Sequence, residues 1–421
     1  MILEPLILQL VTAALVGTGV LLLYTWIIYP LILEAVACLT KGVSTNPGAT
    51  LQNIPGVNDV SVILSAHNEE RCIAQRLENL LALASQRGEI TIRVGVDAST
   101  DRTADIAKGF SSTHKNIHVH EFKERRGKVA VLKELVKQFD LKNQKAESAS
   151  QSADILVFTD ANTRFRADAL ARLLAPFSDE SVGGVCGRLI FTGGESEGSY
   201  WQWETRLKMA ESALDSCLGA NGAIYAIRRE LFWSELPGNT VVDDFVIGMK
   251  VREQGYRMIY EPEAVAEEES PETRHEWRRR VRIGSGDFQA LGFCRRCLSP
   301  RFGRFAWMFW SHKVLRWFTP HMIIVMLACC LASVRWPALS VGEGSVFRVQ
   351  FIISAFVLAG MALLLVFSVF GRLSRKSSLA GFRFLRLCDH FVTMQAALFV
   401  GFIRYCRGNL AGQWERTPRS E

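Results

Sequence analysis

The sequence lacks the short motifs that mark several common classes of protein. It carries no zinc-finger, helix-turn-helix or RNA-reading signature, so its formal net charge of +7 does not indicate binding to nucleic acid. No GxGxxG follows the first predicted strand, which argues against a nicotinamide-dependent oxidoreductase. The ten cysteines include the pair Cys294 and Cys297, but no second pair with matching spacing follows, so we expect reduced thiols rather than a metal site.

What the sequence does contain is long apolar segments separated by charged ones. Hydrophobic residues make up 49% of the chain and charged residues 22%. This composition is too apolar for a disordered protein and too charged for a bundle that lies in a membrane throughout. Basic residues cluster beside the apolar segments, at 274–282, 295–304, 372–376 and in the last twenty residues. Their placement indicates anionic lipid headgroups and cytoplasmic loops.

Apolar runs at both ends of the chain predict membrane helices. The first run, 6–37, is longer than the core of a signal peptide and has no basic leader, so we expect a retained anchor. Residues 351–370 form an uncharged run of twenty, and 322–334 is a shorter candidate. The run at 391–403 is either a further short span or an interfacial helix. A transporter would need more spans than these.

The charges around the first apolar run predict the orientation of the protein. Lys41 follows this run, whereas only Glu4 precedes it. By the positive-inside rule, residue 1 is then outside and the domain that follows is in the cytoplasm. We therefore predict a multi-pass protein of the plasma (inner) membrane with a cytoplasmic central domain.

Between its apolar ends, the sequence alternates between strand-like and helix-like segments. Short apolar runs at 60–65, 90–96 and 154–159 are each followed by a turn or a helical pattern. Repeated strand–helix units predict an α/β domain with a mostly parallel sheet and helices on both faces. Ligands of such sheets bind beyond the carboxyl ends of the strands, so the residues after each strand are the candidates for a site.

Four of these predicted element ends carry acidic and other polar side chains. They are residues 65–70, 97–103 and 160–162, which follow strands, and 242–244, which precedes a helix. Each group alone is explained equally well as a helix N-cap. Caps have no need to converge, however, so four acidic ends in one sheet pattern favour a shared cleft.

The third of these groups has the chemistry of a metal site. Asp160 and Asn162 are two oxygen-bearing side chains separated by one residue, so both can face one divalent ion. Mg²⁺ or Mn²⁺ held in this way also binds a diphosphate and neutralises the charge of the leaving group. Asn162 in place of a second carboxylate makes the site less acidic, so the ion depends more on the diphosphate.

In their order and spacing, these groups resemble the motifs of the family 2 glycosyltransferases. The likeness is to the membrane-integrated branch that includes the cellulose, chitin and hyaluronan synthases, and it runs from about residue 60 to 286. It implies the GT-A fold, a mostly parallel sheet with flanking helices, with transmembrane helices at both ends. The implied domains are an N-terminal anchor at 1–40, a cytoplasmic catalytic domain at 58–290, interfacial amphipathic helices at 291–320, C-terminal membrane helices at 321–405 and a basic tail at 406–421.

The resemblance also implies roles for individual residues. Asp244, with Asp243 beside it, takes the place of the catalytic base of the family. Asp160 and Asn162 take the place of its metal motif, and Asn221 with Gly222 looks like the turn that faces the acceptor. The residues expected to bind the nucleotide-sugar are Ser65, His67, Asn68, Glu70, Asp97, Ser99, Asp101, Lys128, Asp160, Arg279 and Arg282.

One motif departs from the pattern of the processive synthases. These enzymes carry Gln-x-x-Arg-Trp, and here Arg279 stands at the position of Gln and Ile283 at that of Trp, while Arg282 keeps the arginine. The tryptophan normally forms the floor of the acceptor-sugar site. Its absence argues against processive polymerisation.

The resemblance implies inverting transfer of a sugar from a nucleotide-diphosphate sugar, expected to be a UDP-sugar, to a polysaccharide or lipid acceptor at the membrane. Asp244 would take the proton of the acceptor hydroxyl, and the metal, Arg282 and Lys128 would stabilise the departing diphosphate. Two alternatives stay open. One is a lipid glycosyltransferase that adds a single sugar, and the other is a non-catalytic membrane-bound protein that binds nucleotide-sugars.

Overall fold

The computed structural model describes residues 3–39, 57, 59–85, 90–144, 155–192, 199–269, 273–335, 345–373 and 383–408. The chain divides into two compact units. The first is built from Met1–Leu31, Trp277–Phe288 and Trp310–Gly408, and the second from Ile32–Glu276, Gln289–Phe309 and Asn409–Glu421. Of the predicted basic tail at 406–421, only residues 406–408 are among those described.

The second unit is an α/β domain with an eight-stranded sheet. Its strands are β1 (Val60–Ala66), β2 (Ile90–Asp97), β3 (Ile117–Phe122), β4 (Ile155–Asp160), β5 (Arg164–Phe165), β6 (Val182–Thr192), β7 (Tyr225–Arg228) and β8 (Arg257–Glu269). Their order is β3-β2-β1-β4-β7-β6-β8-β5. Strands β1 to β4 are parallel, β7 runs antiparallel to both β4 and β6, and β6 and β8 are parallel. The predicted mostly parallel sheet is therefore confirmed.

Helices cover both faces of this sheet. The helices of the unit are α3 (Ile73–Ala84), α4 (Thr103–Thr113), α5 (Lys128–Gln144), α6 (Ala169–Leu174), α7 (Ser199–Leu214) and α8 (Asp243–Glu253). Val94 and Val96 of β2 share a buried cluster with apolar residues of α3 and α4. Gly95 between them points to the opposite face, where a Cβ would meet Leu135 of α5 at 3.2 Å. Helix α5 packs this closely because position 95 has no side chain.

The first unit is helical. It includes α1 (Leu3–Leu23), a part of α9 (Thr273–Phe293), and α12 (Thr319–Arg335), α13 (Ser345–Leu373) and α14 (Arg383–Cys406); α2 (Tyr29–Leu39) begins in it. Two segments of the described chain are long and apolar enough to cross a membrane, Gln9–Leu39 and Arg348–Leu373. A bent pair, Arg304–Trp317 with Thr319–Arg335, would be a third if it crosses as one span. Short helices α10 (Arg304–Met308) and α11 (Leu315–Trp317) make up part of that pair.

Polar side chains join the helices of the first unit. The Thr12 hydroxyl donates to the Gln350 side-chain carbonyl over 2.9 Å, and the Gln350 amide donates to the Ser333 hydroxyl over 2.9 Å. Arg372 on α13 donates to the buried Asp389 carboxylate of α14 over 3.1 Å. Hydrogen bonds between side chains of neighbouring helices contribute to the association of apolar helices, together with van der Waals packing. The division into domains and the position of α14 in or on a membrane stay predictions.

Candidate active site

The turns that follow β1 and β2 are joined by hydrogen bonds between side chains and backbone. The backbone N–H of Asn68 donates to the Ser99 hydroxyl over 3.1 Å, and that of Thr100 donates to the Asn68 side-chain oxygen over 2.8 Å. Asn68 and Ala98 both have positive φ angles, of 54° and 48°. The two hydrogen bonds hold Asn68 in the left-handed region, which non-glycine residues seldom adopt, and the N–H of Ala98 donates to the Phe122 carbonyl over 3.1 Å.

Two acidic side chains, Glu70 after β1 and Asp101 after β2, also join these two turns. The Glu70 N–H donates to the Asp101 carboxylate over 3.2 Å, and the Arg102 N–H donates to the Glu70 carboxylate over 3.1 Å. Asp101 also accepts the N–H of Thr103 at the start of α4 over 3.0 Å. The N-cap of this helix is Arg102, so Asp101 contacts the helix from the residue before the cap. A contact of Glu70 or Asp101 with a nucleotide stays a prediction.

Asp97, the last residue of β2, holds the loop that precedes α5. It is 3% exposed, and its two carboxylate oxygens accept the N–H groups of Arg126 and Gly127 over 2.7 and 2.8 Å. The His67 ring donates to the Asp97 carbonyl over 2.6 Å. Gly127 has a φ of 83°, which glycine adopts at no steric cost. Asp97 therefore positions the start of α5, beside its predicted contact with a nucleotide.

The first residue of α5 is Lys128, whose ammonium group lies among carboxylates. Its Nζ atom is 2.8 Å from Asp160 Oδ1 and 3.8 Å from Asp243 Oδ2. Burial alone would lower the pKa of Lys128, but the surrounding charges of Asp160, Asp243 and Asp244 outweigh burial and raise the pKa above its ordinary value. The ammonium group is therefore a fixed positive charge.

Gly222 marks the point where three of these groups converge. A Cβ at this position would lie 3.3 Å from Asp160 Oδ2, 3.3 Å from Asp244 Oδ2 and 3.4 Å from Lys128 Nζ. Two carboxylate oxygens and an ammonium group thus border the space above one glycine. Asp160 stands at the end of β4, where its register partner is Ser65 on β1. The structure brings together three residues that the sequence analysis singled out on separate segments.

Asp243 and Asp244 begin α8 and differ in their surroundings. Asp243 is 6% exposed, and Asp244 is half-buried with its Oδ1 accepting the N–H of Phe245 over 2.8 Å. Burial raises the pKa of Asp244 to about 6, helped by the charge of Asp243 and opposed by that of Lys128. Asp244 Oδ2, which faces the space above Gly222, is the better placed of the two to accept a proton.

Asn162 and Asn221 are both engaged by other parts of the domain. The Asn162 amide donates to the Glu268 carboxylate on β8. The Asn221 amide donates to the Gly187 carbonyl over 2.7 Å, and its oxygen accepts the N–H of Ile224 over 3.2 Å. Asn221 therefore shapes the turn that carries Gly222. Its predicted contact with an acceptor stays a prediction.

The predicted arginines lie on α9. Arg279 and Arg282 belong to the part of this helix that is in the first unit. Their contact with a diphosphate stays a prediction. Among the described residues, no group of three or more His, Cys, Asp or Glu side chains is gathered as a metal site. Cys294 and Cys297 are both free and buried, and burial raises the pKa of each thiol.

Sequence reasoning missed Arg76, on α3. Its side chain is 2% exposed, and its Nη2 donates to the hydroxyl of Thr159, the residue before Asp160, over 2.7 Å. Burial lowers the pKa of Arg76 to about 9, an effect that the charge of Asp160 opposes. One signal was available in the sequence. Arg76 is a charged residue on the helix face that also carries Ile73, Leu77 and Leu80.

The sequence matches two family models. The model for glycosyl transferase family 2 matches residues 61–234, and the model for glycosyl transferase family group 2 matches residues 155–370, just over half of the 421 residues. The first of these ranges contains Asp97, Lys128, Asp160 and Gly222, and the second extends over Asp244 into α13.

Known proteins show the same relationship. The chain is 25% identical over 264 residues to the probable glycosyltransferase YdaM of Bacillus subtilis (strain 168). This alignment covers 56% of the chain and 57% of YdaM. The chain is 25% identical over 252 residues to the poly-beta-1,6-N-acetyl-D-glucosamine synthase of Staphylococcus aureus (strain COL), covering 57% of each. The match thus spans little more than half the length of these relatives.

A solved structure shows the same fold. It is that of the mannosyltransferase PcManGT from Pyrobaculum calidifontis in complex with GDP-Man and Mn²⁺. It matches with a TM-score of 0.65 and 21% identity over 95% of this chain and 98% of that one. The GT-A-type fold expected from the motifs is confirmed. Since the second family model covers more than half of the sequence, the chain belongs to glycosyl transferase family group 2.

Proposed function

We propose that this protein catalyses the inverting transfer of a sugar from a nucleotide-diphosphate sugar to an acceptor hydroxyl at a membrane. The observation that carries the proposal is the convergence of Lys128, Asp160 and Asp244 above Gly222. A base and a diphosphate-binding group at one point are what a single displacement at the anomeric carbon requires. Membership of the family and the acidic strand ends support the same reaction.

Asp244 is the proposed base. With a pKa of about 6 it is mostly deprotonated at neutral pH, yet it is a stronger base than an ordinary aspartate. Asp243 is less suitable because it is almost fully buried and its carboxylate lies beside Lys128. In this proposal Asp244 accepts the proton of the acceptor hydroxyl while that oxygen attacks the anomeric carbon. Asp243 raises the basicity of Asp244 through its charge.

Asp160 and Asn162 are the proposed ligands of a divalent ion, Mg²⁺ or Mn²⁺. One oxygen of Asp160 contacts Lys128, and the other faces the space above Gly222. Such ions commonly bind one or two carboxylates and complete their coordination with substrate phosphates and water, which fits a site where Asp160 offers one carboxylate oxygen. When bound, such an ion would neutralise charge on the departing diphosphate. Lys128 adds a fixed positive charge at the same place.

The acceptor is proposed to be a polysaccharide or a lipid, and the donor a UDP-sugar. The polysaccharide synthase named above supports the first acceptor, and PcManGT, solved with GDP-Man, leaves the nucleotide base open. Ile283 at the position of the synthases' tryptophan favours a single addition to a lipid. The two apolar segments support a multi-pass membrane protein, for which we propose the plasma membrane. Lys41 after the first segment supports a catalytic domain in the cytoplasm.

A donor panel tests the proposal as a whole. The full-length protein, purified in detergent, is supplied with UDP- and GDP-sugars and with Mg²⁺ or Mn²⁺, and release of nucleoside diphosphate is measured with and without lipid or oligosaccharide acceptors. We expect release that depends on the acceptor and on the metal. If donors bind without turnover in every combination, the non-catalytic alternative is correct instead.

Replacing Asp244 with Asn should remove the base and leave donor binding intact. We expect kcat to fall by about 10²- to 10⁴-fold, because the amide cannot accept the acceptor proton. The Kd of the donor, measured by calorimetry, should change by less than about threefold. Asp105→Asn, an exposed change in the first turn of α4, is the matched control and should leave both unchanged. Loss of donor binding in Asp244→Asn would contradict the assignment.

Transfer should decline as the pH falls through about 6. Asp244 must be charged to accept a proton, and its raised pKa moves the loss of charge up from the ordinary value of about 4. The logarithm of kcat/KM should therefore rise with pH up to about 7 and then level off. Unfolding is followed over the same pH range, so that loss of structure is not mistaken for titration. An acid limb near 4 would show that burial does not shift the base.

Gly222→Ala should impair transfer while the fold is kept. The added methyl group would stand 3.3 to 3.4 Å from all three converging groups, in space that the reacting atoms need. Misplacement of about 1 Å at a reacting centre costs roughly 10²-fold in rate, and we expect a loss of that order in kcat/KM. Gly238→Ala is the control, because nothing lies within 4 Å of its Cβ position. Equal activity of the two variants would argue against a reaction at this point.

A further inference from the structure

A buried cation lies beneath the strand end that carries Asp160. Arg76 is on α3, and its guanidinium group donates through Nη2 to the Thr159 hydroxyl over 2.7 Å. The same hydroxyl donates to the Ala223 carbonyl over 2.8 Å. Ala223 follows Gly222, so the two bonds connect Arg76 to both sides of the site. One side is the end of β4, and the other is the turn before β7.

Arg76 also connects to the segment that follows Asp160. Its Nη1 atom donates to the Asn79 side-chain oxygen over 2.6 Å. That oxygen also accepts the N–H of Phe165 over 2.9 Å, and the Asn79 amide donates to the Phe165 carbonyl over 2.9 Å. The guanidinium group lies 4.2 Å from the centroid of the Phe165 ring. The short segment from Thr159 to Phe165 is thus held at both ends by side chains of α3.

The cost of burying the Arg76 guanidinium group indicates that this residue does more than fill space in the core. Burial of a charged guanidinium group carries a desolvation cost, which the hydrogen bonds and the aromatic ring offset only in part. An apolar residue would suit this face of α3 at least as well, since Ile73, Leu77 and Leu80 fill the rest of it. What an apolar residue cannot do is hold Thr159 and Asn79 at the same time. The planar, two-pronged guanidinium group does this.

We propose that Arg76 is a positioning residue, which fixes Asp160 and Gly222 relative to each other so that the metal–diphosphate group binds in the reactive geometry. The inference rests on the proposed function, because it assigns Arg76 to that same site. Residues that orient the ligands of a metal typically change metal affinity or activity by about 10- to 100-fold when they are replaced. Arg76 should therefore influence Mn²⁺ binding as well as turnover.

Two changes at Arg76 test this inference. Arg76→Met removes the charge and both hydrogen bonds at similar volume, whereas Arg76→Lys keeps a cation but has a single donor nitrogen in place of the two-pronged guanidinium group. The affinity for Mn²⁺ in the presence of UDP or GDP is measured from the electron paramagnetic resonance of free Mn²⁺, and kcat and thermal unfolding are measured alongside. We expect Arg76→Met to weaken Mn²⁺ binding and to lower kcat by about tenfold or more each. Arg76→Lys should recover part of both.

Arg93 offers a matched control for the loss of a buried arginine. It is 9% exposed on β2, and the charges that act on it are those of Asp59 and Arg229, at the opposite ends of the strands from Asp160. Arg93→Met should lower the unfolding temperature while Mn²⁺ affinity and kcat stay within about twofold of the wild type. If Arg93→Met weakens Mn²⁺ binding as much as Arg76→Met does, Arg76 acts through stability alone and the inference fails.

Thr159→Val keeps the inference testable even if Arg76→Met does not fold. It leaves the charge in place at nearly the same volume and removes the hydroxyl that joins Arg76 to Ala223. Mn²⁺ affinity and kcat should fall in the same direction as in Arg76→Met. A folded Arg76→Met or Thr159→Val protein with wild-type Mn²⁺ affinity and kcat would overturn the inference.

The two proposals can fail separately. If the wild-type protein binds Mn²⁺ with UDP or GDP in a way that depends on Arg76, but transfers no sugar from any donor, the proposed function fails and the positioning role holds. If the wild-type protein transfers sugar and Arg76→Met does so equally well with the same Mn²⁺ affinity, the positioning role fails and the function holds.

Discussion

The site depends on one electrostatic interaction, in which the positive charge of Lys128 compensates the negative charges of three aspartates. Asp160, Asp243 and Asp244 come from two distant parts of the chain, and like charges at this separation in a half-buried place repel one another. The ammonium group at 2.8 Å from Asp160 and 3.8 Å from Asp243 makes their assembly possible. Its own location is fixed by Asp97, which holds the two backbone N–H groups just before it.

Lys128 compensates only part of this negative charge, and the negative charge that remains is chemically useful. Burial and the charge of Asp243 keep the pKa of Asp244 raised, and the charge of Lys128 offsets these two effects only in part. Asp160 binds Lys128 through Oδ1, and its Oδ2 faces the space above Gly222. A fully neutralised cluster would have neither a basic carboxylate nor a free metal ligand. The excess of negative charge also favours a divalent cation, which is what a diphosphate substrate would bring.

Much of the sheet and of the site was predictable from the sequence, because buried parallel strands have a clear pattern of consecutive apolar residues. β1, β2 and β4 are short apolar runs buried on both faces, and the polar residues after them were predicted to converge. β6 to β8 were not predicted. β6 begins with glycines at 183, 184 and 187, and β8 ends in a run of glutamates, so neither has the pattern of an apolar strand. The positions of β6, β7 and β8 in the sheet depend on the strands that they pair with, which lie far from them in the sequence.

The site residues likewise fall into those that the sequence predicts and those that it does not. Residues at strand ends, such as Asp97 and Asp160, were found from position alone. Arg76 was missed because its role arises from contacts with Thr159 and Asn79, and no spacing rule encodes such contacts. The two partners of Asp97 are backbone groups, which sequence does not display. What could not be read from residues one at a time is therefore the support beneath the site rather than the groups that border it.

The reversal of β7 has a consequence for how such a site can diversify. Its register pairs Tyr225, the first residue of β7, with Phe158 near the end of β4, so the turn before β7 reaches the same edge of the sheet as Asp160. One wall of the cleft is thus encoded before residue 166 and the other after residue 220. Replacement of the later segment would remodel the wall that carries Gly222 and Asp244, while the other wall kept its strands with Lys128 and Asp160. The fold thus allows one half of the cleft to change in sequence while the other half is kept.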